Sequence, residues 1–300
     1  MHPQHAERLA RAHLSLAGLS VGDAFGERYF GHTAYIHQRR LADPPWPFTD
    51  DTLMACSIVD NLRQHGAIAQ DALAISFADH LDPSRHYGMG ARRLLEAIRQ
   101  GASWRDAAPR LFGGQGSFGN GAAMRIAPLG AYFADDDWNV LIDNACRASE
   151  VTHAHPEGIA GGMAVAVAAA VAWQCRGSDA PSRAAFIDRI LPHIPPGQVR
   201  DRTRIARDLA TRDPEQAAAV LGSGREVSAQ DTVPFVLWCA GEYLDDYQEA
   251  LWATVSGLGD RDTTCAMVGG IVVLYTGAES IPAEWLARRE PLPEWALAEG

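Results

Sequence analysis

Two acidic clusters stand far apart in this 300-residue chain, each just ahead of a helical run. The first is Thr49-Asp50-Asp51 before Thr52-Leu53-Met54, and the second is Asp260-Arg261-Asp262-Thr263 before Thr264-Cys265-Ala266. Thr and Asp are favoured helix N-caps, and carboxylates there meet the positive end of the helix dipole, so capping explains either cluster alone. A cap, however, needs one oxygen. Together the clusters offer four carboxylates and two hydroxyls, and crowding so many like charges is costly unless cations neutralise them. Oxygen-only ligands favour a hard metal such as Mg²⁺ or Mn²⁺, and the ligand count suits two ions better than one.

Three further groups could serve such a centre. Gly116-Ser117-Phe118-Gly119-Asn120-Gly121-Ala122-Ala123-Met124-Arg125 is a small-residue loop opening a helix. It either exposes backbone N–H groups to phosphate oxygens or makes an ordinary tight turn. It follows no strand and sits in an all-helical context, so a Rossmann nucleotide site is not supported. In Thr152-His153-Ala154-His155-Pro156-Glu157 the histidines either satisfy a helix start or contact a polar ligand. No cysteine or further clustered histidine supports zinc. Gly22-Asp23-Ala24-Phe25-Gly26-Glu27 reads as a glycine-flanked turn after the first helix, with solvated acids.

The elements that must position these groups read as helices. Apolar residues recur at helical spacing over 6–17, ending at Gly18 as a C-cap, and over 52–65, 69–81, 90–100 and 138–150. The windows 157–175, 183–193, 199–221, 232–255 and 264–277 follow the same rule, and strict period-2 alternation never runs for long. The expected fold is all-α, a single compact multi-helix domain over 1–300. Pro44-Pro45-Trp46-Pro47 must be non-helical, and Pro195-Pro196-Gly197 reads as a loop within the domain.

Composition narrows the chemistry. The 26 cations of Lys+Arg are all Arg, and against 37 acids they leave a net charge of −11. Without lysine there is no Schiff-base or P-loop lysine chemistry. An acidic chain with no basic run repels a phosphate backbone, which argues against nucleic acid as a partner. The five cysteines are odd in number and widely spaced, with no CxxC, so reduced and mostly buried thiols are expected. Ile159 to Trp173 is short for a bilayer and rich in Gly and Ala, so it reads as a buried central helix and no membrane partner is expected. The N-terminus shows no charged region followed by an apolar one, and a cytoplasmic monomer is the expectation.

Taken in order, these clusters resemble the ADP-ribosylglycohydrolase family, which includes the ADP-ribosylarginine hydrolases and the dinitrogenase reductase-activating glycohydrolases. The resemblance runs from Gly22-Asp23 through Phe48-Thr49-Asp50-Asp51-Thr52, Gly119-Asn120-Gly121 with Met124-Arg125, and Thr152-His153 with His155-Pro156, to Gly259-Asp260-Arg261-Asp262-Thr263-Thr264. It implies an orthogonal all-helical fold in which Thr49, Asp50, Asp51, Asp260, Asp262 and Thr263 hold two Mg²⁺ or Mn²⁺ ions. It further implies that Gly119, Asn120, Gly121 and His155 contact ADP-ribose; the catalytic groups expected are Asp51 and Asp260 at the metals and, for proton transfer, Glu27 or a metal-linked water. Many members carry a Glu three residues beyond Glu27, where this chain has Phe30. Either Glu27 serves from a shifted position or that acid is absent. Some arginine-specific relatives have an Asp where this chain has His86. The implied activity is metal-dependent release of ADP-ribose from a protein side chain (Arg or Ser) or a small acceptor. The implied alternative is a non-catalytic ADP-ribose-binding or immunity-type member of the same fold. Other helical metalloenzymes fit less well. A phosphohydrolase of the HD type needs a His-Asp dipeptide, which is missing, and an isoprenoid synthase needs DDxxD, whose third acid is Met54 here.

Overall fold

The structure, a computed structural model, describes residues 4–297, all helices and loops with no strand among them. Its centre is the helix Pro156–Cys175, whose run of Ala, Gly and Val is buried along nearly its whole length. By length and hydropathy it could cross a membrane, but 83% of its most apolar window is buried inside the protein. Small side chains all round suit a helix surrounded by other helices.

The N-terminal helix runs His5–Glu27, ten residues further than the expected segment 6–17. Gly18 is not a C-cap, and Gly22 to Glu27 is not a turn but the last turns of this helix. The reason is interhelical. Gly18, Gly22 and Gly26 form a stripe at i, i+4 spacing that lies on the backbone of the antiparallel helix Arg261–Thr276. A Cβ on these glycines would sit 2.4 Å from the Gly269 carbonyl oxygen, 2.1 Å from that of Cys265 and 2.2 Å from that of Arg261. The two backbones touch. Hydrogen bonds from Ser15 Oγ to the Gly270 carbonyl and from Tyr247 Oη to the Gly18 carbonyl, each 2.7 Å, fix their register.

The C-terminal end of this first helix is anchored by aromatics. Phe25 stacks on Trp285 (centroids 4.6 Å apart, planes at 11°) and meets Trp252 edge-on at 5.0 Å. Trp46, from the proline-rich segment expected to be non-helical, is fully buried in the same cluster and pairs with the C-terminal strap through Trp46 N–H to Arg288 O and Glu290 N–H to Trp46 O. Glu290 also accepts from the Phe48 amide at 2.8 Å and pairs with Arg85. The strap thereby holds the residues leading into Thr49.

Expected windows 52–65, 69–81, 90–100 and 138–150 correspond to helices Asp50–His65, Gln70–Asp79, Met89–Arg99 and Trp138–Glu150. The windows 199–221 and 232–255 are each two helices. The first breaks where Asp213 caps Pro214–Leu221, accepting from the Glu215 amide, and the second where Asp246 caps Tyr247–Ser256, accepting from the Glu249 amide. Both breaks are polar caps inside a continuous apolar pattern, and the period alone conceals them. All five cysteines are free thiols, Cys146 half-buried and the others buried.

Candidate active site

The close approach of the first helix to Arg261–Thr276 sets the centre. Asp23 follows Gly22, Asp262 opens the second helix, and both carboxylates enter the same small volume. Asp51, from the start of helix Asp50–His65, completes the group: Asp23, Asp51 and Asp262 each bring an oxygen within 4.8 Å of the others. Asp23 is fully buried. Its carboxylate accepts from the Thr49 and Thr52 amides (3.0 Å each to Oδ2) and lies within hydrogen-bond reach of both threonine hydroxyls. Asp23 therefore pins the first turn of helix Asp50–His65 from outside it, in the place an N-cap would hold. Thr49 is the N-cap proper, its hydroxyl 3.0 Å from Asp23 Oδ1 and 2.8 Å from Asp51 Oδ2 with one proton to give.

Two carboxylate oxygens remain. Asp51 Oδ1 and Asp262 Oδ1 are buried and have no hydrogen-bond partner. Leaving a buried carboxylate oxygen unpaired costs about 1–3 kcal/mol or more, and the neighbours here are other carboxylates. Burial first, then the charge of Asp23, pushes Asp51 well above the usual carboxylate range, and burial with the charge of Asp260 does the same for Asp262. Asp50 is pushed up to about 8 by burial and by Asp23. An all-oxygen donor set with orphaned oxygens and mutually raised acids fits a hard divalent cation.

Above these acids opens a cavity of about 510 Å³, into which Asp50, Asp260, Asp262 and Thr263 project. Thr49 and Asp51 lie behind this wall, buried. Asn120, at the start of the short helix Gly121–Met124, donates from Nδ2 to Asp260 Oδ2 (2.7 Å) and to Thr232 Oγ1 (3.1 Å). Its carboxamide thus orients a carboxylate of the acidic group. Gly119 and Gly121 line the cavity with backbone, and a Cβ on Gly121 would meet His153 Cε1 at 3.1 Å.

The two histidines divide. His153 lines the cavity, whereas His155 is the N-cap of Pro156–Cys175, its Nδ1 accepting from the Glu157 amide at 3.1 Å. His153 is buried, and burial with the nearby Arg125 charge lowers its pKa to about 3, so the ring is neutral. Thr152 Oγ1 accepts from Arg125 Nη2 at 2.7 Å and lies 2.7 Å from His153 Nδ1. Thr152 Oγ1, which already accepts from Arg125, can donate its own proton to Nδ1. His153 then carries its proton on Nε2, the edge beside Gly119 and Gly121. Arg125 is fully buried over the Phe77 ring (4.5 Å), and its charge acts on Asp50.

Glu27 ends the first helix half-buried, 3.3 Å from His86 Nδ1 at the cavity rim. Burial raises its pKa, His86 opposes this, and Asp23 adds to it. Phe30 is largely exposed, with the Arg261 guanidinium 5.0 Å above its ring. Exposed Met89, Phe112 and Phe118 also line the cavity, Phe112 against Gly90 and the two phenylalanine rings 6.4 Å apart.

The sequence placed Asp23 in a turn with solvated acids, read His153 and His155 alike as helix-start or ligand contacts and carried only His155 forward as a ligand contact, and named Arg125 only within the glycine-loop motif. The i, i+4 glycine spacing was the available signal for a continuous helix carrying Asp23 inward.

The sequence profile of the ADP-ribosylglycohydrolase family matches residues 4–299. The chain belongs to the ADP-ribosylglycohydrolase family. It is 28% identical to ADP-ribosylhydrolase ARH3 of Xenopus tropicalis, over 93% of this chain and 91% of that protein. Against ARH3 of Homo sapiens it is 28% identical over 93% and 89%. An uncharacterised protein of Archaeoglobus fulgidus is 29% identical over 90% and 88%. Among solved structures, a chain described as an ADP-ribosylglycohydrolase-related protein complex superposes with a TM-score of 0.63 at 24% identity, covering 97% of this chain and 96% of that one. The all-helical fold of the family is thus the fold of this member.

Proposed function

We propose that this family member is a metal-dependent hydrolase that cleaves the glycosidic bond between ADP-ribose and a modified protein side chain or small acceptor. The observation that carries the proposal is the pair of buried, unpartnered oxygens, Asp51 Oδ1 and Asp262 Oδ1, under a cavity of ligand size. Thr49, Asp50, Asp51, Asp260, Asp262 and Thr263 would hold two Mg²⁺ or Mn²⁺ ions, with Asp23 fixing the Thr49 end of the set. Bound there, the metal would supply Lewis acidity to the ribose hydroxyls and to the attacking water.

The protein's own groups account for the rest of the reaction. Cleavage at an anomeric carbon builds oxocarbenium character and requires a proton on the leaving atom. Glu27 stands beside His86 of the cavity wall, and burial raises its pKa, which favours the protonated form and suits it to protonate that leaving oxygen or nitrogen. Asn120 keeps Asp260 in place, and His153 Nε2–H offers a neutral donor to a ribose or phosphate oxygen. Gly119 and Gly121 let the ligand approach the main chain, and Phe112 with Phe118 offers an apolar slot for the base. These contacts are remote from the breaking bond and supply binding energy that orients it.

The test is release of free ADP-ribose from arginine-linked and serine-linked substrates prepared separately. Release from one of them supports the hydrolase and selects its linkage. Tight ADP-ribose binding with no release from either, nor from a small O-linked acceptor, would favour a non-catalytic binder.

A further inference from the structure

Arg125 is a fully buried guanidinium that forms no ion pair with a carboxylate among the described residues. Taking such a charge out of water is costly, and packing over the Phe77 ring does not by itself require one. What the guanidinium adds is directed donors. Nη2 donates to the Ala148 carbonyl at 3.2 Å and to Thr152 Oγ1 at 2.7 Å, while Nη1 lies 3.7 Å from Met54 Sδ. Asp50 acts on it through space, without an ion pair. Thr152 is buried too, and among the described residues its hydroxyl has two neighbours within hydrogen-bond reach, Arg125 Nη2 and His153 Nδ1, each at 2.7 Å. Arg125 can only donate, so the hydroxyl proton goes to Nδ1 or to nothing. With Nδ1 protonated, the hydroxyl would accept twice and its own proton would be left inside the protein without an acceptor, which costs free energy. With Nδ1 accepting, the proton still to be placed is on Nε2, beside Gly119 and Gly121 of the cavity wall, where a ligand or water can accept it. Donation by Arg125 also polarises the hydroxyl and strengthens its bond to Nδ1.

Packing holds the ring on this edge. Three glycines set their backbones against it: a Cβ on Gly121 would meet Cε1 at 3.1 Å, one on Gly158 would meet Cδ2 at 3.3 Å, and one on Gly119 would meet Nε2 at 3.4 Å. Gly158 belongs to the first turn of Pro156–Cys175, and Gly121 opens Gly121–Met124. The loop and the helix therefore fix where the ring stands, and the hydroxyl of Thr152 fixes where its proton sits. Arg125, Thr152 and His153 all line the cavity.

We propose that Arg125 and Thr152 are positioning residues for ligand recognition: the relay from Arg125 through Thr152 holds His153 with its proton on Nε2, aimed at a ligand oxygen that accepts it. The other tautomer would turn a nitrogen lone pair toward that oxygen and repel it. The proposal rests on the reading of the cavity as the ADP-ribose site and names the residues that set one of its donors.

The experiment reads the tautomer first and affinity second, and neither depends on turnover. Long-range proton–nitrogen correlation spectra of Mg²⁺-saturated protein, isotope-labelled at histidine, distinguish a protonated ring nitrogen from a bare one. The His153 signals are those lost in His153→Gln. The wild type is expected to show one tautomer, with Nδ1 bare and Nε2 protonated. Thr152→Val keeps the side-chain shape and removes the hydroxyl. Its His153 nitrogens should shift toward a mixture of the two tautomers, and its affinity for ADP-ribose, measured by calorimetry, should fall about two- to tenfold, the contribution of one hydrogen bond. Thr152→Ser should restore both. Arg125→Met should shift the same equilibrium part-way, and the Thr152 pair decides the matter if that variant fails to fold. A protonated Nδ1 in the wild type overturns the proposal, and so does a wild-type spectrum in Thr152→Val or in folded Arg125→Met. Unchanged ADP-ribose affinity in a Thr152→Val protein whose tautomer has shifted also overturns it, since His153 then meets no ligand oxygen. Failure of the wild type to bind ADP-ribose would sink the reading of the cavity together with the ligand side of the proposal. Binding and spectra as expected, with no release of ADP-ribose from any linkage, would sink the hydrolase reading alone.

Discussion

Replacing Gly22 by Ala should damage the active site without touching any ligand. A Cβ at this position would sit 2.1 Å from the Cys265 carbonyl oxygen and 2.8 Å from its carbonyl carbon. Ordinary C···O contact is about 3.3–3.6 Å, so the first helix and Arg261–Thr276 must part by about 1 Å. Both obstructing atoms are backbone, and no side chain can turn aside. Overpacking of this kind costs about 1–3 kcal/mol, several degrees in Tm for a domain of this size. The chemical cost is larger. Asp23 and Asp262 ride on the two separated helices, and a misplacement of about 1 Å can cost on the order of 100-fold in rate. Thermal unfolding with and without Mg²⁺ gives the stability and the metal-induced shift, and ADP-ribose release gives the rate. Gly88→Ala is the stability control: its φ is −56° and a Cβ there meets nothing within 4 Å, so its stability should change by no more than about 0.5 kcal/mol. Wild-type Tm, metal response and turnover in Gly22→Ala would refute the idea that the glycine stripe sets the spacing of the acids.

Other predictions concern the acids and their supports. Raised carboxyl pKa values mean that the metal-free folded state keeps protons that the unfolded state releases near pH 4, so stability falls as pH rises through the folded values. His153, pushed down to about 3, acts oppositely, but only below its unfolded value of about 6.5. In chelator, Tm should therefore fall between about pH 6.5 and 8.5, with Asp50 at about 8 inside the window, and saturating Mg²⁺ should abolish the fall. A flat Tm in chelator would show that the acids are not crowded. Asn120→Ala removes the amide that orients Asp260 and should weaken metal binding by about 10- to 100-fold, read by calorimetric titration. Unchanged affinity would remove Asn120 from the metal's support. Glu27→Gln should lower kcat by about 10²- to 10⁴-fold with metal affinity retained; a kcat near wild type would move proton transfer to another group.

The two acidic clusters were visible in the sequence because their residue types are themselves the chemistry: oxygen donors in excess of what a cap needs. The all-helical class was visible in the apolar period. Asp23 was hidden because glycines at i, i+4 look locally like a helix end, and only the Cys265 and Gly269 backbones opposite explain why the helix needs them. The roles of His153 and His155 could not be separated by spacing, since which of them caps depends on where the chain enters Pro156–Cys175. Glu27 carried no local signal of its surroundings either. Its pairing with His86 spans 59 residues and depends on where the segment after helix Gln70–Asp79 crosses the cavity rim. The breaks at 209–213 and 243–246 were hidden for the same kind of reason, because a capping aspartate weighs less than the apolar residues around it in any periodic pattern.

The central claim is that the buried acids hold metal in order to cleave ADP-ribose from its acceptor. Its most direct test is a chelation and add-back series on the wild-type protein with the substrate whose linkage it accepts, following free ADP-ribose over time. Release is expected to vanish in chelator, to return on addition of Mg²⁺ or Mn²⁺, and to fail to return in Asp262→Asn. Release at an undiminished rate in chelator, or full restoration in Asp262→Asn, would contradict it.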